Sequence, residues 1–494
     1  MEMMRKVVAL ALLMIAAAMI VVIVPSCAGK GAPPKPVEEQ PAPQPIPIPE
    51  GPLGMKVTLL GKPEQITEEP QKIFTEPKKL DILISPDTKR VATSDGSSVL
   101  VDGKTTKMLA VKIDSMAFSD DSKHFLYAGT AVGSRCVVVL NGVETAAKGL
   151  VLKAVISPDG RKFAYVYDEN GKQVPVVDGA AGKGYVAVTW LGFSSDSKRC
   201  AYVAKSGEKK VVVVDGKESR EYDDVATGPA MHPMFGADSK HFGYVAKADG
   251  KSYVVLDGEE QADRFGLVFS PDGKRVALLA TNPQTKKSFI IVDGAPSNEL
   301  GGVGCPVFSP DSKHFAYAAG EAVVLDEKAT LAGGAVKSIT FSPDSQRVAY
   351  ATSAGKLFVD GKEVLSDMVK ETPVVSLAFS PDSKRYACFT YLLSKSSMGN
   401  HMVIDGKVGK QYWRVGPAVD CLNSYKAAPV FSPDSAHVVY TTFSPQETLI
   451  VVDTTEYSLN ITPLSMPVFD SPRKFHFIGL KFNEIYLVEM EIPE

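Results

Sequence analysis

The sequence lacks the signatures of the common catalytic chemistries. Its 494 residues include six cysteines, none spaced Cys-x-x-Cys, which excludes a zinc ribbon or a dithiol redox pair. No Gly-x-Ser-x-Gly elbow, phosphate-cradling Gly-rich loop or His-Glu-x-x-His helix occurs. Only two tryptophans are present, Trp190 and Trp413, too few for the repeated tryptophans of a quinone-dependent dehydrogenase. Charge of one sign is lacking as well. Lys plus Arg number 54 against 57 Asp plus Glu, and a net charge of -3 supplies no field to draw the chain onto nucleic acid. What remains is globular: 45% hydrophobic and 22% charged, with no metal, cofactor or nucleic acid implied.

The first 27 residues have the order of a secretory signal. Arg5 and Lys6 precede an apolar run from Val7 to Val24, followed by Pro25, Ser26 and Cys27. The run is 18 residues long, close to what a membrane span needs, so an uncleaved anchor helix and plain secretion are the competing readings. Val24-Pro25-Ser26-Cys27 resembles the lipobox of bacterial lipoproteins, with Pro25 an unusual residue at its place. That resemblance implies lipid attachment at Cys27, cleavage before it and residence in the cell envelope. Ala28 stands where the family's inner-membrane retention signal would be aspartate, which implies an outer membrane where the organism has one. Residues 28–54 form a spacer in which nine prolines hold the chain extended, reaching up to roughly 70 Å from the bilayer.

From residue 79 onward the chain repeats. The unit is Phe-Ser-Pro-Asp-(Gly/Ser)-Lys-(Arg/His)-(Phe/Val)-Ala-Tyr, with its serine position at Ser85, Ser119, Ser157, Ser194, Gly236, Ser270, Ser309, Ser342, Ser380 and Ser432. A decayed eleventh copy runs from Phe469 to Phe477. The spacing averages about 39 residues, the length of a four-stranded propeller blade. Locked to each unit is a β-branched run ending in Asp-Gly or Asn-Gly, as at Asp102-Gly103 and Asn141-Gly142, with Asp326-Glu327 and Asp453-Thr454 as exceptions. One copy shows how each unit divides. Val336 to Phe341 is strand A, Ser-Pro-Asp-Ser a tight turn, Arg347 to Thr352 strand B, Lys356 to Val359 strand C and Lys362 to Leu365 strand D. Such a sheet cannot cover both its faces alone, so the units must stack around an axis, with the residue before the serine position, Phe in nine of eleven copies and Ile84 and Ile156 in the others, as a knob between neighbours.

This repeated unit resembles the WD40-like repeat of TolB-type β-propellers over residues 79 to 494. The resemblance implies an all-β propeller of about eleven blades for residues 55–494 and leaves function open, since such blades serve unrelated roles. The α/β domain that precedes the propeller in TolB has no room here. Eleven blades exceed the usual four to eight, so two adjoining rings, split between Asp257 and Ser309, are expected ahead of one large ring. The β-branched segment Met55 to Leu60 is expected to pair with the C-terminal strand and complete the last blade.

Candidate chemistry is sparse. A turn aspartate recurs (Asp87, Asp121, Asp159 and their equivalents), with Arg, Lys or His three positions on; we expect the two to face each other across each hairpin for structural reasons. His124, His241, His314 and His437 fall in different blades and are not gathered as metal ligands. Cys136, Cys200 and Cys388 read as small buried hydrophobes, and Cys388 could pair with Cys421. The long B–C and D–A connections, Thr281 to Ser288, Ser394 to His401, Ala226 to Met234 and Pro417 to Ala428, share one end of the ring, where variable loops build binding surfaces. Tyr412, Trp413 and Arg414 open the largest and are the candidate partner-binding residues, against a purely structural role for Trp413. The expected function is a non-enzymatic, lipid-anchored envelope scaffold for a protein, ligand or envelope polymer. The alternatives are an enzyme with its site in the propeller channel and a structural part of an envelope complex.

Overall fold

The computed structural model describes residues 53–61, 81–94, 98–106, 112–131, 134–228, 231–299, 302–365, 376–393, 398–412, 414–415, 429–443, 447–482 and 484–493. The signal, Cys27 and most of the spacer lie outside them. The described chain is all β: eleven antiparallel sheets, each ordered A-B-C-D. Blade 8 illustrates the agreement with the sequence, with strands at Val336–Phe341, Val348–Thr352, Leu357–Val359 and Lys362–Leu365. Strand B is buried throughout this blade and strand D is the outer edge, exposed along its length in blade 7 (Lys328–Leu331).

The chain ends meet as expected. Lys56–Gly61 pairs antiparallel with Glu484–Glu491, Val57 opposite Val488 and Thr58 opposite Leu487, and serves as strand D of blade 11. Blade 11 in turn packs on blade 1, where Leu60, Ile478, Leu480 and Ile485 bury Val91. The two-ring expectation is therefore corrected: all eleven blades share one ring. Across the supposed split, blades 5 and 6 bury Val254, Leu267 and Leu278 together, and blades 6 and 7 bury Ile290, Phe308 and Tyr317. Apolar residues on both faces of each sheet leave no position at which the stack can stop, and base rates from smaller rings do not override that.

The A–B turn is built around its serine. Proline presets φ for a tight turn, and the buried serine hydroxyl donates to the aspartate carboxylate two residues on, at 2.5–2.7 Å in nine blades. In blade 8 the same Oγ accepts the Arg347 N–H at 2.9 Å. The next residue takes a left-handed conformation, as at Ser122 (φ 60) and Ser345 (φ 65). Glycine would adopt it without strain, yet serine stands there in most blades because its hydroxyl reaches the neighbour. Ser122 Oγ accepts the Asp87 N–H of blade 1 at 2.9 Å, and seven of the eleven seams carry this clasp. Blades 3 and 6 have glycine instead because the preceding blade sits too close. A Cβ on Gly273 would lie 2.5 Å from the Asp238 nitrogen, and one on Gly160 would overlap the His124 ring.

The expected pairing of the turn aspartate with the base three residues on is also corrected. In most blades the base reaches instead the aspartate of the C–D hairpin, which is held at positive φ in a primed turn (Asp360, φ 52), while His241 keeps the expected contact as well, its Nε2 3.6 Å from Asp238 Oδ2, and His124 meets Asn141. Arg347 Nε donates to Asp360 Oδ2 at 2.8 Å, and Asp360 Oδ1 accepts the Val348 N–H at 3.1 Å. Arg347 Nη1 crosses to blade 9, donating to the Ser383 and Lys384 carbonyls at 2.8 and 2.9 Å, and the guanidinium lies 5.2 Å from the Phe379 ring. Arg90, Arg199, Arg275 and Arg385 repeat this bridge, each over the Phe before the next serine position, which in blade 5 is Gly236. The Phe knob is thus gripped by the cation of the preceding blade.

Serine hydroxyls, then the N–H two residues on, hold the carboxyls of Asp121, Asp159, Asp196, Asp272, Asp311, Asp344, Asp382 and Asp434 below their ordinary value of 3.8. A depressed folded-state pKa stabilises above the unfolded value and is lost as pH falls through the folded one. The melting temperature is therefore expected to be insensitive to these groups near neutrality and to fall steeply once pH drops below 3.8, as scanning calorimetry across pH 2–6 would measure. In the C–D hairpin of blade 7 the usual glycine is replaced by Glu327, which is held at φ 71, so Glu327→Gly is expected to raise stability by about 1 kcal/mol in a denaturant titration.

Candidate functional site

The candidate residue Tyr412 ends strand D of blade 9, Lys407–Tyr412, and its side chain turns into the seam with blade 10. It is 8% exposed, its hydroxyl donates to Glu456 Oε1 at 2.9 Å, and its ring meets Tyr440 edge-on with centroids 6.0 Å apart. Lys410 Nζ holds the other oxygen of Glu456 at 2.8 Å. Arg414 begins the next strand A, its backbone opposite Phe443. Trp413 lies outside the described residues, as does Cys421, the suggested partner of Cys388.

Among the described residues the Tyr412 arrangement occurs three times, and it was missed in the sequence. Tyr222 donates to Glu260 at 2.7 Å, Arg220 Nη2 reaches the same carboxylate at 2.9 Å, and Tyr244 meets Tyr222 edge-on. Tyr185, Lys183, Glu218 and Tyr202 repeat the set one seam earlier. The signal was present: a (Lys/Arg)-x-Tyr at the end of one blade, then a glutamate three residues after the next hairpin aspartate (Asp215 and Glu218, Asp257 and Glu260, Asp453 and Glu456). Burial, then the hydrogen bond to glutamate, pushes the Tyr185 hydroxyl up, while Lys183, Arg220 and Lys410 lower their glutamates first and foremost. These tyrosines are neutral clamps on ionised acids, built to join blades at the outer rim.

The remaining candidates fall into the same pattern. His241, His314 and His437 each bond the hairpin aspartate of their own blade through Nδ1, at 2.7, 2.6 and 2.9 Å, and His124 bonds Asn141 at 2.7 Å. Among the described residues no three His, Cys, Asp or Glu side chains gather as metal ligands. Burial pushes the Cys200 and Cys388 thiols up to about 12, so neither is a nucleophile at neutral pH. Cys305 is exposed and Cys136 half-buried.

The long connections need redrawing. Thr281 to Ser288 is a B–C loop, pinned by Glu299, which accepts from Thr285 Oγ1 at 2.7 Å. His401 lies within strand C, Met398–Ile404, so that loop is shorter than expected. Ala226 to Met234 is not a D–A connection. It interrupts strand A of blade 5, between Asp224–Val225 and Met234–Phe235, both of which pair with the same strand B. The same break separates Arg414–Val415 from Val430–Phe431 in blade 10. Both excursions therefore leave from the first strand of a blade and not from its end.

No family model matches the chain, and no curated protein does. Among solved structures, one titled "Crystal structure of the eukaryotic initiation factor" is similar at 14% identity and a TM-score of 0.38, over 74% of this chain and 99% of that one.

The outer clamp makes opposite predictions for two buried hydroxyls. Tyr412→Phe removes a satisfied bond and is expected to lower stability by about 1 kcal/mol. Tyr350, at the position of Tyr440 in blade 8, stacks on Phe358 but has no hydrogen-bond partner for its hydroxyl among the described residues. Tyr350→Phe is expected to raise stability by about 1 kcal/mol, both changes being read from denaturant midpoints.

Proposed function

We propose that the chain is a non-enzymatic binding scaffold, lipid-anchored through Cys27 on the cell envelope. The observation that carries the binding reading is the division of labour between the two ends of the ring. At the turn end, the recurring polar side chains of most blades are engaged in intrablade or blade-to-blade bonds, as Arg347, Asp344, Ser342 and Asp360 are in blade 8. Among the described residues the B–C and D–A connections at the other end repeat only the tyrosine clamp, in three blades, and otherwise differ, and a rigid scaffold with variable loops is the usual setting for recognition. The anchored reading draws its support from the lipobox-like sequence and the proline-rich spacer.

The point of attachment orients the ring in this reading. The Leu53 carbonyl accepts the Glu491 N–H, and Glu491 lies opposite Lys474, next to the A–B turn of blade 11. The chain thus joins the propeller at its turn end, so a tether there leaves the loop end facing away from the bilayer. Metabolic labelling with a palmitate analogue is expected to mark the wild type and not Cys27→Ala; equal labelling of the two would reject the anchor. Pull-down from envelope extracts is expected to return a partner, whereas turnover of a glycan, peptide or lactone without one would favour an enzyme.

A further inference from the structure

Among the described residues, exposed large hydrophobic side chains occur around the ring, from Val143 in blade 2 to Phe482 in blade 11, and three of them fall at the loop end of two adjacent blades. Leu150, Leu152 and Val186 belong to blades 3 and 4, at or just before the start of strand A, where the chain arrives from the loop end. They are 40%, 40% and 53% exposed. Leu152 is the extra residue of a bulge, since Val151 pairs with Tyr167 and Lys153 with Val166. A bulged residue is left out of the ladder and its side chain is turned aside from the regular alternation.

Beyond the bulge the faces are set by the core. Ala154 and Ile156 pack towards blade 2, while Val155 packs towards blade 4, so Lys153 shares the face of Val155 and looks towards blade 4. Val188 packs back from blade 4 against the same seam, and Val186 lies two residues before it. Lys153 is half-buried, and among the described residues no carboxylate reaches its ammonium. Burial pushes that group below its usual range. The turn-end arginines and His241, His314 and His437 each have an acid in contact and His124 has an amide, whereas Lys153 has no carboxylate partner among the described residues and directly follows the exposed Leu152 of the bulge.

We propose that this rim binds an anionic amphiphile of the fatty-carboxylate class, its head on the Lys153 ammonium and its tail along Leu150, Leu152 and Val186. A half-buried charge without a counter-ion weakens the empty ring, and an arriving carboxylate removes that penalty while forming a charge-assisted hydrogen bond in a partly dry setting. The tail covers apolar surface that otherwise faces water. The assignment deepens the binding role above by naming a ligand class, and it does not depend on the anchor.

The test is calorimetric titration of the full-length chain with sodium dodecanoate below its micelle concentration, beside dodecyltrimethylammonium, which has the same tail and the opposite head. Saturable binding of dodecanoate alone is expected. Lys153→Met should weaken it by about tenfold or more, Lys153→Arg should keep it within about threefold, and Leu152→Asp should abolish it. Lys153→Met removes an unpaired charge and is expected to melt no lower than wild type, which separates lost binding from lost folding. Absent binding, equal binding of the two head groups, or a Lys153→Met variant indistinguishable from wild type would overturn the proposal. So would displacement of dodecanoate by an apolar peptide ending in a free carboxylate, which would assign the rim to protein termini. A failed Cys27 label with intact dodecanoate binding would count against the anchor alone.

Discussion

The seam between neighbouring sheets is the constraint on which everything else depends. Each sheet carries apolar residues on both faces: Val138 and Tyr165 meet between blades 2 and 3, while Ala164 and Tyr202 meet between blades 3 and 4. A sheet of this kind is covered only when it has two neighbours, so the array has to close on itself. Around that apolar seam the polar groups fall into two concentric sets. The turn set joins blades through the serine clasp and the arginine bridge; the rim set joins three of the seams through tyrosine and glutamate. Neither set works through charge alone. An exposed Arg–Asp pair contributes little, but Arg347 also satisfies two carbonyls of the next blade and covers its phenylalanine.

The seams are not equivalent. At two of the four places where histidine replaces the arginine, His124 and His241, the next turn carries glycine, and neither the serine clasp nor the guanidinium bridge is present, whereas the seam after His314 keeps the clasp through Ser345. These two seams rely on side-chain packing and on closer backbone approach. The closing seam has its own device. The blade 11 turn is one residue shorter, with Asp470 at the serine position, and the buried His476 links Asp470, at 2.7 Å, to Thr88 of blade 1, at 2.8 Å. Lys89 adds an ion pair to Asp470 at 2.7 Å. The last repeat looks decayed in sequence because it meets a different neighbour, the first one, and is fitted to it.

Strand positions were legible because each rests on local rules: proline and aspartate in the A–B turn, Asp-Gly in the primed hairpin, alternation along strand B. The closing role of Met55 to Leu60 was legible for a different reason, as a lone β-branched segment facing an incomplete final blade. The number of rings was not legible, because ring size follows from small angles summed over many seams and no single residue encodes it. The partner of each base was misread for a related reason. Arg347 is three residues from Asp344 but bonds Asp360, and the C–D hairpin comes beside the A–B turn only after the sheet has formed. Tyr412 looked like an interface residue because aromatic, basic and acidic types mark internal seams as readily as external ones.

The closing strand sets a schedule for folding. Lys56–Gly61 is among the first segments of the ring to be made, and its partner, Glu484–Glu491, is the last. Blades 1 to 10 can form their own hairpins in order, since each pairs only locally, but strand D of blade 11 has to wait unpaired for almost the whole chain. The entropy of closing so long a loop grows only logarithmically with its length, so the waiting is a matter of time more than of free energy. During that interval two sheet edges are open, one at each end of the growing stack, and both can pair with another copy. A ring assembled across two molecules, each supplying the other's missing strand, is the characteristic error this connectivity admits.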